Sequence, residues 1–255
     1  MTGLVHLQIG SGLAEIRLDN PSKMNAFSAA MLAQLAGHLE MIERSDARLV
    51  LLSAAPAKCF CSGADINDWS SLTPAEFARH WVRGGHRIFD RLAGLSRPTI
   101  ALLEGHAFGG GLELAAACDI RIITPRSTFA LPETGIGIVP GWSGTQRLAR
   151  LLPEPVVKEM ALFGRRLTAE RALSLGFVAE VAEEPRAAAE AIIERAKALS
   201  PRAGEITKAM IHAGRGEHPG ALIEALGSAA IAASEDRAEG IAAFQGKRPA
   251  DFTGN

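Results

Sequence analysis

Cysteine is scarce in this chain. Three occur in 255 residues, Cys59, Cys61 and Cys118, an odd number and too few for a disulfide framework. That excludes the small disulfide-stapled class and points to a reducing, cytoplasmic compartment. Cys59 and Cys61 are one residue apart and no second ligand pair follows, so no metal site is expected. Tyrosine is absent altogether. No window of about 18 apolar residues occurs, which argues against a membrane-spanning helix and a membrane partner. The opening residues, MTGLVHLQIG, lack a basic region ahead of a long apolar run, so no signal peptide is expected. Neither sign of charge dominates. With 27 basic and 28 acidic residues and a net charge of −1, no stripe for nucleic acid stands out, although a local basic pocket remains open.

What is present is enough apolar material for a full core. Hydrophobic residues make up 47% of the chain, whose length suits one α/β domain with an appendage. Residues 4–9 and 13–18 alternate around Gly10-Ser11-Gly12 and read as a β-hairpin. Ser28 reads as the N-cap of a helix to about Arg44, with Met31, Leu32, Leu35, Leu39 and Ile42 on one face. Strands are expected at 48–53, 98–103, 120–123 and 128–131, with a small-residue loop at APAKCFCSGAD. Thr73-Pro74-Ala75-Glu76 starts a helix to about Leu95, with Trp81, Ile88 and Leu92 inward. From Pro153 the pattern turns helical (153–163, 168–175, 185–199, 201–213 and 219–245), and no strand signal follows about 181. The fold class is therefore α/β, with a core over 1–195 and a helical region over 196–255.

The stretch GHAFGGGLELAAACD, residues 105–119, reads as a glycine-rich turn opening a helix behind a strand. Glycines let backbone approach a ligand closely. The unpaired N–H groups and the dipole at a helix start favour negative charge. The dinucleotide fingerprint fails at Leu114, and the P-loop fails at Gly111 and Leu112. The nucleophile elbow fails at Gly141-Trp142-Ser143-Gly144-Thr145. Glu113 lies three residues after Gly110, hence on the same helix face. By itself it also fits a first-turn glutamate favoured by the dipole. A second carboxylate, Glu133, ends the strand TFALPE ahead of another glycine-rich loop. It fits either a solvated strand end or, with Glu113, acid–base handling of a water.

Five segments taken together resemble one family. GHAFGGGLELAAACDIRI, FALPETGIGIVPGWSGTQRL, ALFGRRLTAERALSLGFVAEV, DNPSKMNAFS and KCFCSGADI are collinear and similar to the enoyl-CoA hydratase/isomerase (crotonase) family, as is the tail SEDRAEGIAAFQGKRPADF. The resemblance implies a repeated ββα spiral with a C-terminal helical part that drives trimers, which commonly pair into hexamers. It implies an oxyanion hole from the backbone N–H groups of Ala64 and Gly110, worth about 3–4 kcal/mol per donor in such sites. Glu113 then acts chiefly as base toward water, Glu133 delivers the proton to the α-carbon, and the Gly141 N–H helps to place the water. Coenzyme A, part of the substrate rather than a cofactor, is expected near Lys23, Met24, Ala26, Ser62, Ala64, Asp65, Ile66 and Gly110, with Lys247 reaching it from a neighbouring subunit.

The implied activity is syn hydration of a trans-2-enoyl-CoA to the 3-hydroxyacyl-CoA, as in fatty-acid degradation. Alternatives are Δ3-Δ2-enoyl-CoA isomerisation, a specialised acyl-CoA hydratase/dehydratase, or an RNA-binding family member. Trp142 departs from the small residue often found at its position in family hydratases. It is either a packed loop aromatic or a wall of the acyl pocket. Trp69, Trp81 and His86 fall in the family's variable acyl-pocket region, and His86 reads as structural.

Overall fold

Alternating apolar residues make the first hairpin. In the computed structural model, which describes residues 3–254, β1 (Leu4–Gly10) and β2 (Leu13–Asp19) pair antiparallel, Leu4 opposite Asp19. The crossover to the next strand is α1 (Ala29–Glu43). Ser28 caps it, its Oγ accepting the Met31 N–H at 3.2 Å. Its buried residues are Met31, Leu32, Leu35, Leu39 and Ile42, the face expected from their spacing. β3 (Leu49–Ala54) follows, almost wholly buried as a strand covered on both faces must be.

A short strand, β4 (Cys59–Cys61), lies inside the segment read from sequence as a loop. Three residues are too few to show a period, and the strand exists through its partner rather than its composition. Next comes a composite helix. It opens with one turn, α2 (Pro74–Glu76), closed by a capping box between Thr73 and Glu76. It widens into π-helical turns over Phe77–Val82 and continues as α3 (Arg83–Ala93). Trp81 and Leu92 are buried as expected, but Phe89 takes the deep position and Ile88 is only half-buried. The wide turns advance the inward stripe, and it runs Trp81, Gly85, Phe89, Leu92.

The remaining core elements follow in order. They are β5 (Thr99–Leu103), β6 (His106–Phe108), α4 (Gly110–Ala116), β7 (Ile120–Ile123), β8 (Thr128–Ala130), α5 (Gln146–Leu151), α6 (Glu154–Phe163), β9 (Leu167–Thr168), α7 (Ala169–Ser174), β10 (Glu180–Val181) and α8 (Pro185–Lys197). They build two sheets. The larger has the order β1-β2-β3-β5-β7-β10, parallel from β2 onward. The smaller has the order β4-β6-β8-β9, with β4, β6 and β8 parallel and β9 antiparallel. Because β4, β6 and β8 run the same way, their carboxyl ends lie side by side at one edge of the core.

Residues through Pro201 form one compact unit and those from Arg202 a second. The second carries α9 (Pro201–Gly214), α10 (Pro219–Ala232) and α11 (Glu235–Gln245). The sequence pattern suggested one helix over 219–245. Ser234 interrupts it, its Oγ accepting the Arg237 N–H at 3.2 Å and starting α11 afresh.

Candidate active site

The carboxyl end of β4 runs into Ser62-Gly63-Ala64. The segment 23–27 zips along it. Ser62 N–H donates to Met24 O at 3.1 Å, Phe27 N–H to Gly63 O at 2.8 Å, and Asp65 N–H to Phe27 O at 2.7 Å. In this parallel bridge between Phe27 and Ala64, the Ala64 N–H points the other way and takes no partner among the described residues. Lys23 pairs with Asp65 and holds its carboxyl below the usual range.

β6 is followed by Gly109, whose φ of 50° and ψ of −124° turn the chain sharply into α4. A Cβ there would also stand 2.6 Å from Glu133 Oε1, so only glycine fits. The first helical N–H, that of Gly110, has no partner among the described residues. A Cβ on Gly110 would lie 3.6 Å from the Gly63 Cα, so the Ala64 and Gly110 segments are immediate neighbours. Two unpaired amides thus face one cavity of about 130 Å³.

One turn into α4, Glu113 is only 2% exposed. Its Oε1 accepts the N–H of Trp142 at 2.8 Å and that of Gly144 at 2.7 Å. Both of these bonds go to Oε1, and the residue lies on the cavity lining. Burial pushes the Glu113 pKa up to about 7. The Trp142 N–H opposes the rise, the Glu133 charge adds to it, and the Gly144 N–H and Arg147 oppose it. Glu133 begins a 3₁₀ turn after β8 and is also buried, with Oε2 unpaired; burial raises its pKa. Two carboxylates with raised pKa values therefore face one cavity beside two unpaired amides. That arrangement can stabilise a developing oxyanion and move protons at the same time.

The structure gathers Ser62, Ala64, Ile66, Gly110, Glu113, Glu133 and Gly141 on the cavity lining. Lys23, Met24, Ala26 and Asp65 are not on it. Lys23 and Asp65 form the ion pair beside it, Met24 is exposed, and Ala26 is buried in the zipped segment. Lys247 belongs to the second unit, where it follows α11. No cluster of three or more His, Cys, Asp or Glu is arranged to hold a metal among the described residues.

Trp142 fits both readings left open by the sequence. It is 3% exposed, and it lines the cavity. Its ring packs 5.2 Å from Phe89, 5.5 Å from Trp81 and 6.3 Å from Phe27. All three tryptophans of the chain, with Phe77, stand on this lining. Sequence reasoning missed the two N–H donors to Glu113. The available signal was the glycine spacing in PGWSG, which marks backbone brought close to another group.

A Cβ at Gly110 would stand 2.7 Å from the Trp142 ring. Gly110→Ala is therefore expected to displace the ring or the amide. It should lower any activity that draws on this amide roughly tenfold or more while the far-ultraviolet circular dichroism stays unchanged.

The family model described as enoyl-CoA hydratase/isomerase matches residues 8–255. A probable mitochondrial enoyl-CoA hydratase from Arabidopsis thaliana is 38% identical over 96% of this chain and 83% of its own length. A putative enoyl-CoA hydratase/isomerase from Bacillus subtilis is 38% identical over 95% of each chain. The solved enoyl-CoA hydratase of Bacillus anthracis superposes with a TM-score of 0.80 at 31% identity, covering 98% of this chain and 99% of that one. With the two amides, the two carboxylates and this collinear likeness together, the chain belongs to the enoyl-CoA hydratase/isomerase family and has the crotonase fold.

Proposed function

We propose that the protein is an enoyl-CoA hydratase that adds water syn across a trans-2-enoyl thioester. The observation that carries the reading is the pair Glu113 and Glu133 on one cavity with the unpaired Ala64 and Gly110 amides. The amides hold the thioester oxygen as it takes up negative charge. Glu113 Oε2 accepts a proton from water as the water oxygen bonds to the β-carbon. The double-bond electrons move toward the thioester oxygen, and the enolate then takes its proton at the α-carbon from protonated Glu133. Net, one water is added and no electron is gained or lost, and the proton taken by Glu113 returns through solvent to Glu133 before the next turnover. The Gly141 N–H, on the cavity lining and without a partner among the described residues, supports a role in orienting the water.

Two carboxylates favour this reading over Δ3-Δ2 isomerisation, which needs one group to carry a proton between carbons. The Lys23–Asp65 pair beside the cavity supports a coenzyme A approach along the 23–27 and 62–66 segments. The exposed Ile223, Ile231 and Phe244 support an oligomerisation role for the second unit, as a trimer or a pair of trimers.

The test is loss of enoyl absorbance with crotonyl-CoA. Wild-type protein should consume it, and Glu133→Gln should do so about 10²-fold more slowly with its fold intact. Absence of hydration, together with conversion of a 3-enoyl-CoA to the 2-enoyl isomer, would replace this reading by isomerisation.

A further inference from the structure

Glu113 is gripped by the N–H groups of Trp142 and Gly144, and the residue between them is Ser143. Its φ is 80°, in the left-handed region that a residue with a side chain rarely adopts. Something must hold it there, and the side chain shows what does. Ser143 Oγ lies 3.2 Å from His86 Nδ1 and 3.4 Å from Asp90 Oδ1. His86 Nε2 lies 3.0 Å from Asp90 Oδ2, one turn along α3. Arg147 Nη2 donates to Asp90 Oδ1 at 2.5 Å, and the Arg147 backbone N–H donates to Ser143 O at 2.9 Å.

The hydroxyl has two acceptors within reach: Ser143 O–H can donate to His86 Nδ1, or to Asp90 Oδ1 while His86 Nδ1–H donates to Ser143 Oγ, and Arg147 grips Asp90 in either arrangement. A serine, a histidine and an aspartate in a row suggest a nucleophile. Ser143, however, is buried and off the cavity lining. The chain of bonds ends instead on backbone conformation.

We propose that Ser143, His86 and Asp90 form a positioning network, anchored by Arg147. It ties the loop 141–144 to α3 in the one conformation from which two amides orient the Glu113 carboxylate. The inference rests on the reading of Glu113 as the base. The titratable and charged groups around the loop are His86 and Asp90 from α3, Arg147 from α5, Glu113 from α4 and Glu133 after β8. Without the tie, the loop relaxes out of the left-handed region. The two donors withdraw, and the carboxylate loses the hydrogen bonds that favour its charged form.

The experiment measures kcat and KM for crotonyl-CoA hydration from pH 5 to 9 in Ser143→Ala, Ser143→Gly, His86→Ala, the double variant Ser143→Ala/His86→Ala, and Glu113→Gln. Ser143→Ala should lower kcat roughly tenfold or more, leave KM within about twofold, and move the acid limb of the kcat profile to higher pH. His86→Ala should act in the same direction, and the double variant should be about as slow as the slower single one, as members of one network are. Ser143→Gly separates the side chain from the backbone, since glycine adopts this φ freely. Should Ser143→Gly keep the wild-type kcat and acid limb, the side-chain network is not what positions the base. If Glu113→Gln is inactive while both Ser143 variants have unchanged profiles, the network alone is overturned. If Glu113→Gln still hydrates at the wild-type rate, the base assignment falls and the network with it.

Discussion

Glu113→Gln should hydrate crotonyl-CoA about 10³-fold to 10⁴-fold more slowly than wild type, and at pH 8 it should unfold at a higher temperature. The two effects have one cause. Glutamine keeps an oxygen that can accept the Trp142 and Gly144 N–H bonds, so the local geometry survives. What it loses is the ability to take a proton. What it gains is freedom from a buried charge, because the folded protein holds Glu113 near a pKa of about 7 against an ordinary 4.5.

A folded value above the unfolded one means that the native state binds more protons than the unfolded chain between those two limits. Native stability from this group is therefore fully present below about pH 4.5 and is lost as pH rises through about 7. The separation of 2.5 units corresponds to roughly 3 kcal/mol, which sets the scale of the gain at pH 8. Thermal melts of both proteins at pH 5 and pH 8 check it. The stability gap should be large at pH 8 and nearly closed at pH 5, and a gap independent of pH would contradict it. The same titration should give the wild-type rate an acid limb near pH 7, belonging to the Glu113/Glu133 pair as a unit.

The second large effect is expected at Trp142. Its ring fills the space between Phe27, Phe89 and Trp81, and it rests against Gly85 and Gly110. Removing so large a buried ring leaves a void that its neighbours cannot close. Trp142→Ala should cost about 3–5 kcal/mol, read as a lower denaturant midpoint with unchanged slope. Trp142→Phe removes less and keeps the fold. Because the ring also bounds the cavity, on the proposed reading Trp142→Phe should raise kcat/KM for six-carbon and eight-carbon enoyl-CoAs relative to crotonyl-CoA. A chain-length preference identical to wild type would make Trp142 a packing residue only.

Much of the fold could be read from sequence because its signals are local. The α1 stripe from Met31 to Ile42 and the β1–β2 hairpin carry their periods within a dozen residues or so, and the structure places both as read. What escaped was set by partners distant in the chain. β4 has three residues and is a strand because β6 lies beside it. Phe89 displaced Ile88 from the core because π-helical turns at 77–82 advanced the stripe, and no residue type announces such a turn. The candidate site divides in the same way. Both carboxylates were legible as carboxylate beside glycine-rich turn, whereas the pairing of the Ala64 and Gly110 amides was implied only by the family resemblance. The grip of the 142–144 loop on Glu113 spans some thirty residues, and the tie from Ser143 to His86 spans more than fifty. Neither has a spacing that a single sequence displays.

The smaller sheet sets its three parallel strands so that each hands one segment to the cavity. β4 delivers Ala64, β6 delivers Gly110 and Glu113, and β8 delivers Glu133. The scaffold does not care what chemistry those segments carry, since the pairing is backbone to backbone and ends before they begin. On the proposed reading, replacing the carboxylate after β8 leaves the amides after β4 and β6 in place to hold a thioester enolate. The enolate-holding and proton-delivering parts then sit on separate strand ends, and the second can change without the first being rebuilt.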